Sequence, residues 1–497
     1  MGYVLSLDLG TTALKLLLLD AGGRTVHVAS EPYPTRFPEP DRIQQEPAEW
    51  VKALCRGAGA LWERCTPGEI EAVGFSGHMS SVVAIDRRGE PVYPCMTLAD
   101  VRSARQAAWL TEHLSGEILA ATGNRPLNAF ALPKLLWLRD EAPEAFARAD
   151  VWLSAKDYLR FWLTGEAAQD VTDAYNSLCV LPETRRWNRP LIEAAGLSPA
   201  LFPRLLEAYG RAGSVTAEAA ALTGLLAGTP VFAGGADMAC GALGMGLAQP
   251  GDATVSMGTN APFMMMIERF DPAYAGALTC HAGAFPGQTY ALGSHFNGGL
   301  VVNCLSKLLT EDGRIDYGMV GVLACEAEAL PPGAGGVMAL PFFAGSGSPY
   351  FAPDDRAALV GLSAATTRAQ LLRAALEGVA LNLRQSLELM RTLCPQGQTR
   401  VSLFGGGTRI PLWTRIIAAV FGFPVDVVQN PDASAVGGAL LAGYGAGLYP
   451  DPLSLARAVL PGRAEVIPTG EDKAAYQALY GRYLDLYGAL RPWYEKA

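Results

Sequence analysis

The sequence predicts an α/β protein of two large domains, and three observations support this fold class. The chain has 497 residues, which is too long for one ordinary hydrophobic core. Predicted strands and helices alternate along it, as in layered α/β proteins. A pattern of strand, tight turn and strand occurs twice, and its two Gly-Thr pairs, Gly10-Thr11 and Gly258-Thr259, lie 248 positions apart. We therefore place the domains at residues 1–246 and 247–497.

The individual elements follow from hydrophobic spacing and from turn residues. Residues 103 to about 206 are predicted to be mainly helical. In the first half, strands are predicted at 3–20 (with the first turn inside), 25–30, 70–75, 82–85 and 230–233, and helices at 48–65 and 238–246. In the second half, strands are predicted at 253–255, 263–267, near 290 and at 401–404, and helices near 300–309, 368–393, 412–420, 434–445 and 474–494.

Composition excludes several classes of protein. The net charge is −9 and no basic run occurs, which argues against a nucleic-acid partner. Nine cysteines without a C-x-x-C pair favour a reduced, cytoplasmic chain, and five scattered histidines indicate no structural zinc site. Residues 221–249 are nearly uncharged, but seven glycines, Pro230 and Asp237 argue against a membrane span. Any metal should therefore have oxygen ligands.

Each Gly-Thr turn is a candidate phosphate site. Glycine reaches backbone angles that are closed to other residues, and threonine adds a hydroxyl, so successive N–H groups can converge on an anion. One such turn in each half predicts a bound polyphosphate. Lys15 either adds positive charge for a phosphate or lies on the exposed face of its strand.

Asp8 is a candidate metal ligand. It ends a predicted buried strand, where a carboxylate needs a cation or hydrogen bonds to compensate its burial. Mg²⁺ bound by one or two carboxylates together with substrate phosphates is a common solution. The alternative is an Asx turn that closes the hairpin.

Asp237 is a candidate general base. It is the only charged residue between positions 221 and 249, and it lies between a predicted strand and a helix of small residues. A carboxylate there can accept a proton from a substrate hydroxyl that attacks phosphorus. The alternative, which is compatible with catalysis, is a helix N-cap.

Gly405, Gly406 and Gly407 form a second glycine-rich turn, between a predicted strand and Arg409. They lack the G-x-G-x-x-G spacing, so a dinucleotide-binding fold is a poor match. Three residues without side chains let a flat ring or a sugar approach the backbone. The alternative is a plain strand-to-helix turn.

Taken in order and spacing, these motifs resemble the FGGY carbohydrate kinases, and within that family the xylulokinase branch. The resemblance extends over nearly the whole chain. The matching stretches are Asp8-Leu9-Gly10-Thr11-Thr12-Ala13-Leu14-Lys15, Gln45-Glu46-Pro47 with Trp50, Gly74-Phe75-Ser76-Gly77, Thr122-Gly123-Asn124-Arg125, Pro133 to Leu138, Thr172-Asp173, Gly234-Gly235-Ala236-Asp237, Ser256-Met257-Gly258-Thr259, Phe404 to Arg409, and Pro411-Leu412-Trp413.

The resemblance implies two actin-like, ribonuclease-H-like domains around a central cleft that binds ATP, Mg²⁺ and a sugar. It implies that Asp237 is the general base and that Asp8 coordinates Mg²⁺. Residues implied in binding phosphates are Gly10, Thr11, Thr12, Lys15, Gly258, Thr259 and Asn260. Residues implied beside the adenosine are Gly405, Gly406, Gly407 and Arg409. Residues implied beside the sugar are His78, Met79, Asp100, Arg102 and Asp237.

The chain departs from the family pattern at the sugar side, whereas the phosphate turns are intact. The departures are Gly77-His78-Met79-Ser80 for Gly-Gln-Met-His, Leu98 for the Trp of Trp-x-Asp-x-Arg, Met238 for Asn after Asp237, and Gly345-Ser346-Gly347-Ser348-Pro349 for Gly-Glu-Arg-x-Pro. The alternatives are a packed or surface histidine without a ligand for His78, a surface ion pair for Asp100 and Arg102, and a core position for Trp137.

We therefore expect an ATP-dependent kinase that phosphorylates a primary hydroxyl of a ketopentose such as D-xylulose. The alternatives are a kinase for another ketose or polyol, such as ribulose, glycerol or erythritol, and a sugar- or nucleotide-binding regulator with weakened catalysis. An actin- or chaperone-like ATPase is disfavoured, because it would not explain the charge at position 237. Homodimers occur among similar kinases, so a homodimer is one expected assembly.

Overall fold

The computed structural model of the protein describes residues 2–395, 399–430, 432–460 and 462–496. They form two compact units, each discontinuous in sequence. The first unit comprises residues 1–248, 280–289 and 432–460, and the second comprises 249–279, 290–431 and 461–497. Two segments from the second half of the chain, 280–289 and 432–460, therefore belong to the first unit. The domain bounds of 1–246 and 247–497 stay a prediction.

The structure contains strands in both units, and we number them in chain order. They are β1 (Tyr3–Leu9), β2 (Ala13–Leu19), β3 (Thr25–Pro32), β4 (Arg36–Glu39), β5 (Arg42–Gln45), β6 (Ile70–Gly77), β7 (Val83–Ile85), β8 (Cys95–Met96), β9 (Val151–Leu153), β10 (Ala168–Asp170), β11 (Val180–Leu181), β12 (Arg186–Trp187), β13 (Arg204–Leu206), β14 (Arg211–Ser214), β15 (Pro230–Phe232), β16 (Gly235–Ala236), β17 (Asp252–Ser256), β18 (Phe263–Ile267), β19 (Thr279–Ala282), β20 (Thr289–Gly293), β21 (Met338–Leu340), β22 (Ala358–Val360), β23 (Arg400–Phe404), β24 (Val425–Val428) and β25 (Arg463–Val466).

The α-helices are numbered in the same way. They are α1 (Pro47–Leu61), α2 (Ala104–Thr122), α3 (Ala131–Glu141), α4 (Pro143–Arg148), α5 (Ala155–Thr164), α6 (Val171–Ala174), α7 (Arg189–Ala194), α8 (Ala217–Thr223), α9 (Asp237–Gly244), α10 (Gly299–Leu309), α11 (Tyr317–Glu328), α12 (Arg368–Thr392), α13 (Pro411–Phe421), α14 (Ala433–Gly445), α15 (Pro452–Val459) and α16 (Gly470–Tyr494). The strands and helices predicted from hydrophobic spacing are confirmed, with end points that differ by a few residues.

The main sheet of the first unit has the order β14-β15-β6-β1-β2-β3, with β16 also paired to β6. Strand β1 is antiparallel to β2 and parallel to β6. Strand β16 is also parallel to β6. Asp8 of β1 and Gly235 of β16 both lie opposite Ser76 of β6. The carboxyl ends of β1 and β16 therefore lie two interstrand spacings apart, about 10 Å. This register brings Asp8 and Asp237 to one edge of the sheet.

The second unit repeats this strand order. Its sheet contains the path β20-β18-β17-β23-β24-β25. Like β1, strand β17 has an antiparallel neighbour in its hairpin and a parallel neighbour on the other side. Strand β15 pairs with the antiparallel edge strand β14, and β24 pairs in the same way with the antiparallel edge strand β25. Two sheets of the same topology confirm the prediction of two actin-like, ribonuclease-H-like domains.

Each unit has its own hydrophobic core. In the first unit the leucines of β1 and β2 pack with Trp50 of α1 and with Phe75 of β6. In the second unit Phe263 of β18 and Trp413 of α13 lie at the centre of the core. All nine cysteines are free thiols. Within the described residues, no helix combines the length and the apolar character that a membrane crossing requires.

Candidate functional site

The turn between β1 and β2 is closed by its own backbone. The Gly10 N–H donates to the carbonyls of Asp8 and Ala13, at 3.1 Å each. The carbonyls of the turn are occupied by other residues, since Tyr33 donates its hydroxyl to Gly10 O, and Gln45 donates to Thr11 O at 2.8 Å. An Asx turn by the Asp8 side chain, the alternative considered from the sequence, is not what closes this hairpin.

The turn between β17 and β18 has the same hydrogen-bond pattern. The Gly258 N–H donates to Ser256 O at 3.0 Å, just as Gly10 donates to Asp8. The Gly258 carbonyl accepts from Gly299 at 2.7 Å, at the start of α10. In both turns the next two amides, those of Thr11 and Thr12 and those of Thr259 and Asn260, donate to no other described residue and lie in exposed residues. Each unit thus presents a pair of free N–H groups, as the repeated motif predicts.

Asp8 is a buried carboxylate that accepts a hydrogen bond from a serine side chain. Ser434, in the first turn of α14, donates its hydroxyl to Asp8 Oδ2 at 2.8 Å. Burial raises the pKa of Asp8, and the bond from Ser434 and the charge of Lys15 only partly oppose that shift. Lys15 itself forms an ion pair with Asp432 at 2.8 Å and keeps about a third of its side-chain surface exposed. Both interpretations of Lys15 from the sequence, a phosphate contact and a place on the exposed face of its strand, are compatible with this position.

Asp237 is the first residue of α9 and follows the two-residue strand β16. Its Oδ1 accepts from the N–H of the neighbouring Met238 at 2.8 Å, and the N-cap position is Ala236, so Asp237 does not cap the helix in the usual way. Desolvation raises the pKa of Asp237 to about 7, and the nearby carboxylates of Asp8 and Asp173 add to this rise. A half-buried carboxylate that titrates near neutral pH can act as a proton acceptor.

His78 lies directly beyond the end of β6, with Met79 beside it, and both residues are buried. The backbone N–H of His78 donates to Leu9 O at 2.9 Å, which ties this loop to β1. Neither ring nitrogen of His78 has a hydrogen-bond partner among the described residues. Burial lowers its pKa to about 4, so the imidazole is neutral. A buried neutral imidazole without partners can accept a bond from, or donate one to, a substrate hydroxyl.

Asp100 and Arg102 form a buried ion pair. The alternative considered from the sequence, an ion pair on the surface, is wrong. Arg102 Nη2 lies 2.6 Å from Asp100 Oδ2, and the two side chains are at most 1 % exposed. Asp100 also accepts from the Ile43 N–H at 2.8 Å. Arg102 donates to Gln44 at 3.0 Å, and its guanidinium lies 5.0 Å from the ring of Trp137, which is a core residue as predicted. The residues that surround this ion pair, Gln44 and Trp137, are distant from it in sequence.

The second unit contains a cavity of about 560 Å³ next to its turn. The lining includes Gly258 and Thr259 of the turn, Gly406, Gly407 and Arg409 of the glycine-rich segment, and Asn303 and Tyr317. Gly405 has a positive φ of 96°, and a Cβ at Gly406 would have no atom within 4 Å, so the backbone faces open space. Arg409 is exposed and has no ion pair among the described residues. This cavity has the size and the partly apolar lining of a small-molecule site.

Sequence reasoning missed several residues that hold these groups in place. Ser434 and Asp432 lie more than 400 positions from the residues that they contact, Asp8 and Lys15. A cluster of charged side chains behind Asp237 was also missed, although its acidic residues lie close together in sequence, between positions 157 and 173. Only the quoted Thr172-Asp173 motif pointed to it.

Comparison with known proteins agrees with this geometry. The chain matches the models of the N-terminal domain (residues 3–244) and the C-terminal domain (residues 253–446) of the FGGY family of carbohydrate kinases. It is 30% identical to a xylulose kinase of Lactococcus lactis, with 98% of this chain and 97% of that protein covered. It is 28% identical to a gluconokinase of Bacillus subtilis, over 90% of this chain and 88% of that protein.

Among solved structures, the xylulose kinase from Rhodospirillum rubrum superposes with a TM-score of 0.90 at 29% identity, over 99% of this chain and 100% of that chain. The family models cover both turns and the strands of the two repeated sheets except β25. The chain therefore belongs to the FGGY family of carbohydrate kinases, enzymes that transfer a phosphoryl group from ATP to a sugar hydroxyl.

Proposed function

We propose that this kinase phosphorylates a primary hydroxyl of a ketopentose, with D-xylulose as the first choice. The observation that carries the proposal is the half-buried Asp237 carboxylate, whose pKa is raised to about 7 at the same sheet edge as Asp8. A base with this pKa is about half ionised at pH 7 and takes up a proton readily. The similarity to xylulose kinases over nearly the whole chain supports the choice of sugar.

In the first unit, Asp237 accepts the proton of the attacking hydroxyl, and Asp8 is the residue that would hold Mg²⁺. The donor set fits a hard cation, because Asp8 offers a buried carboxylate whose charge is only partly compensated. When bound, Mg²⁺ neutralises phosphate charge. The free amides of Thr11 and Thr12, with Gly10 and Lys15, bind phosphate oxygens.

In the second unit, the turn and the cavity bind the nucleotide. The free amides of Thr259 and Asn260 beside Gly258 suit a phosphate group, by the same argument as in the first unit. Gly405, Gly406 and Gly407 leave room for the adenosine, and Arg409, which lines the cavity, supplies a positive charge. On this chemistry we propose these residues as the contacts of the nucleotide.

The acceptor is an uncharged sugar. Lys156 and Arg102, two buried cations of this part of the unit, are committed to Asp170 and Asp100. A third, Lys134, donates to backbone carbonyls at 2.8–3.3 Å, and burial lowers its pKa to about 7. These three described cations are already engaged, so the carboxylate of a sugar acid such as gluconate would have none of them to pair with.

Of the residues predicted beside the sugar, two contact the acceptor directly, and two support the loop next to it. His78 and Met79 line the sugar site, because the imidazole of His78 is buried with both nitrogens unsatisfied. Asp100 and Arg102 act on the sugar through the loop that they fix, since most of their hydrogen-bonding capacity is used internally. On this proposal, the departures from the family pattern affect the acceptor, and the phosphate turns keep the family sequence.

The test is a panel of acceptors with Mg·ATP, in which ADP release is followed by a coupled assay. We expect the highest kcat/KM with D-xylulose, lower values with ribulose, glycerol and erythritol, and the lowest with gluconate. Asp237→Asn should lower kcat by at least about 100-fold, the scale of general-base catalysis. Gluconate as the best acceptor would refute the choice of an uncharged sugar, and turnover that survives Asp237→Asn would refute the assigned base.

A regulator with weakened catalysis is the second candidate, and the sugar-side departures are the observation that favours it. Calorimetric titration distinguishes the two. Binding of sugar and of nucleotide without ADP release across the whole panel would favour the regulator over the kinase.

A further inference from the structure

A buried cluster of charged side chains lies behind β16, and the proposed reaction does not use it. The cluster consists of Lys156, Asp157, Asp170 and Asp173, with Arg160 at its side. All five side chains are at most 1 % exposed. Burying so many charges is costly unless each has partners, so the cluster needs a physical explanation.

Lys156 supplies the positive charge at the centre of the cluster. Its Nζ lies 2.9 Å from Asp157, in direct contact with Asp170, and 4.0 Å from Asp173. Burial alone would lower the pKa of Lys156, but the three carboxylates outweigh it and raise the pKa above its ordinary value. The ammonium group thus occupies the place where three converging carboxylates would otherwise suit a metal ion.

Asp170 connects Lys156 to Thr172 through its two carboxylate oxygens. One carboxylate oxygen of Asp170 contacts Lys156, and the other accepts from the Thr172 N–H at 2.8 Å and from the Thr172 hydroxyl. The hydroxyl in turn accepts from the N–H of Ala236 at 2.8 Å. Since a hydroxyl can donate once and accept at the same time, Thr172 links the ion cluster to the residue that precedes Asp237.

The strand at this point has little other support. Strand β16 consists only of Gly235 and Ala236, and β6 pairs with it on one side. A Cβ at Gly235 would lie 3.0 Å from the Thr172 hydroxyl, which shows how closely the two segments approach. If Thr172 served only the first turn of α6, its backbone N–H, already bonded to Asp170, would suffice.

We propose that Thr172 is a positioning residue for Asp237, held in turn by Asp170 and Lys156. The hydroxyl fixes the Ala236 amide, and the fixed amide sets where the carboxylate of the next residue begins. The Thr172 side chain is fully buried and its hydroxyl is engaged by Asp170 and Ala236, so its loss should affect the rate of transfer and not the binding of substrates. The proposal rests on the assignment of Asp237 as the base.

The test compares Thr172→Val and Thr172→Ala with Thr172→Ser, which keeps the hydroxyl. Thr223→Val is the matched control, because Thr223 is also buried, donates to Ala219 O at 2.7 Å and accepts from the Leu225 N–H at 3.3 Å. We expect Thr172→Val and Thr172→Ala to lower kcat by on the order of 10-fold or more, with KM for sugar and for ATP within about twofold of wild type. Thr172→Ser and Thr223→Val should retain kcat.

Hydrogen exchange measured by mass spectrometry gives a second readout on the same variants. The peptide that contains Ala236 should exchange faster in Thr172→Val than in Thr172→Ser. Either hydroxyl-free variant with wild-type kcat, or with a rise in KM alone, would overturn the positioning role. Asp237→Asn is assayed in parallel: if it loses turnover while Thr172→Val does not, only the positioning role fails, and if it keeps turnover, the base and the positioning role fail together.

Discussion

Replacement of Gly437 by alanine should damage both stability and catalysis, because α14 and α9 pack through glycines. A Cβ at Gly437 would lie 1.9 Å from the carbonyl oxygen of Cys240 in α9. Ordinary contact begins at 3.4 Å, so one helix has to move by 1.5 Å relative to the other. The obstacle is backbone, which cannot rotate away as a side chain can. Helix α9 begins at Asp237, three residues before Cys240, so the displacement reaches the proposed base.

The expected magnitude follows from two opposing terms. Overpacking of this kind costs about 3 kcal/mol. Alanine in place of glycine within a helix returns about 1 kcal/mol. We therefore expect Gly437→Ala to lower the free energy of unfolding of the first unit by ~2 kcal/mol. A displacement of the base by more than 1 Å should lower kcat by on the order of 100-fold.

Gly241→Ala is the matched control, since it lies in α9 itself and its added Cβ would have no atom within 4 Å. This variant should be more stable than wild type by ~0.5–1 kcal/mol and fully active. Urea unfolding followed by circular dichroism, together with initial rates of ADP release, measures both effects. If Gly437→Ala has wild-type stability and activity, the close packing of α14 on α9 is not what fixes Asp237.

Three further perturbations test other contacts. Ser434→Ala removes the hydroxyl that bonds to Asp8, and the Mg²⁺ concentration for half-maximal rate should rise about fivefold, the equivalent of one hydrogen bond of ~1 kcal/mol; an unchanged Mg²⁺ titration would contradict the role of Ser434. Arg102→Met leaves Asp100 buried without its partner and should destabilise the first unit by about 3 kcal/mol in urea unfolding. A loss below 1 kcal/mol would instead fit an exposed pair. Asp237 has a pKa raised in the folded protein from 3.8 to about 7, so its contribution to stability falls as pH rises through that window; Asp237→Asn should therefore exceed wild type in melting temperature at pH 8, and the gap should close toward pH 4.

Much of the fold was predictable because its signals are local. The hairpins around Gly10 and Gly258 follow from apolar runs on either side of a glycine, and the structure has both, with the same backbone bonds. The helix predicted at 434–445 is also present, as α14. Its membership in the first unit was not predictable, because a helix of alanines and glycines carries no mark of the surface on which it packs.

The candidate site was predictable where one residue type stood out from its surroundings. Asp237 was found as the only charge in an apolar stretch. Ser434, by contrast, contacts Asp8 across 426 positions, and a serine at the start of a helix is a common residue there. The environment of Asp100 was misjudged for the same reason, since the aromatic ring of Trp137 and the side chain of Gln44 that enclose Arg102 come from distant segments.

The transfer step itself provides the most direct test of the account. In a single-turnover experiment with radiolabelled γ-phosphate ATP and the best acceptor of the panel, wild type and Asp237→Asn are compared, with nucleotide affinity measured on the same samples. We expect Asp237→Asn to bind ATP as wild type does and to form phosphorylated sugar at least about 100-fold more slowly. Formation of phosphorylated sugar by Asp237→Asn within tenfold of the wild-type rate would contradict it.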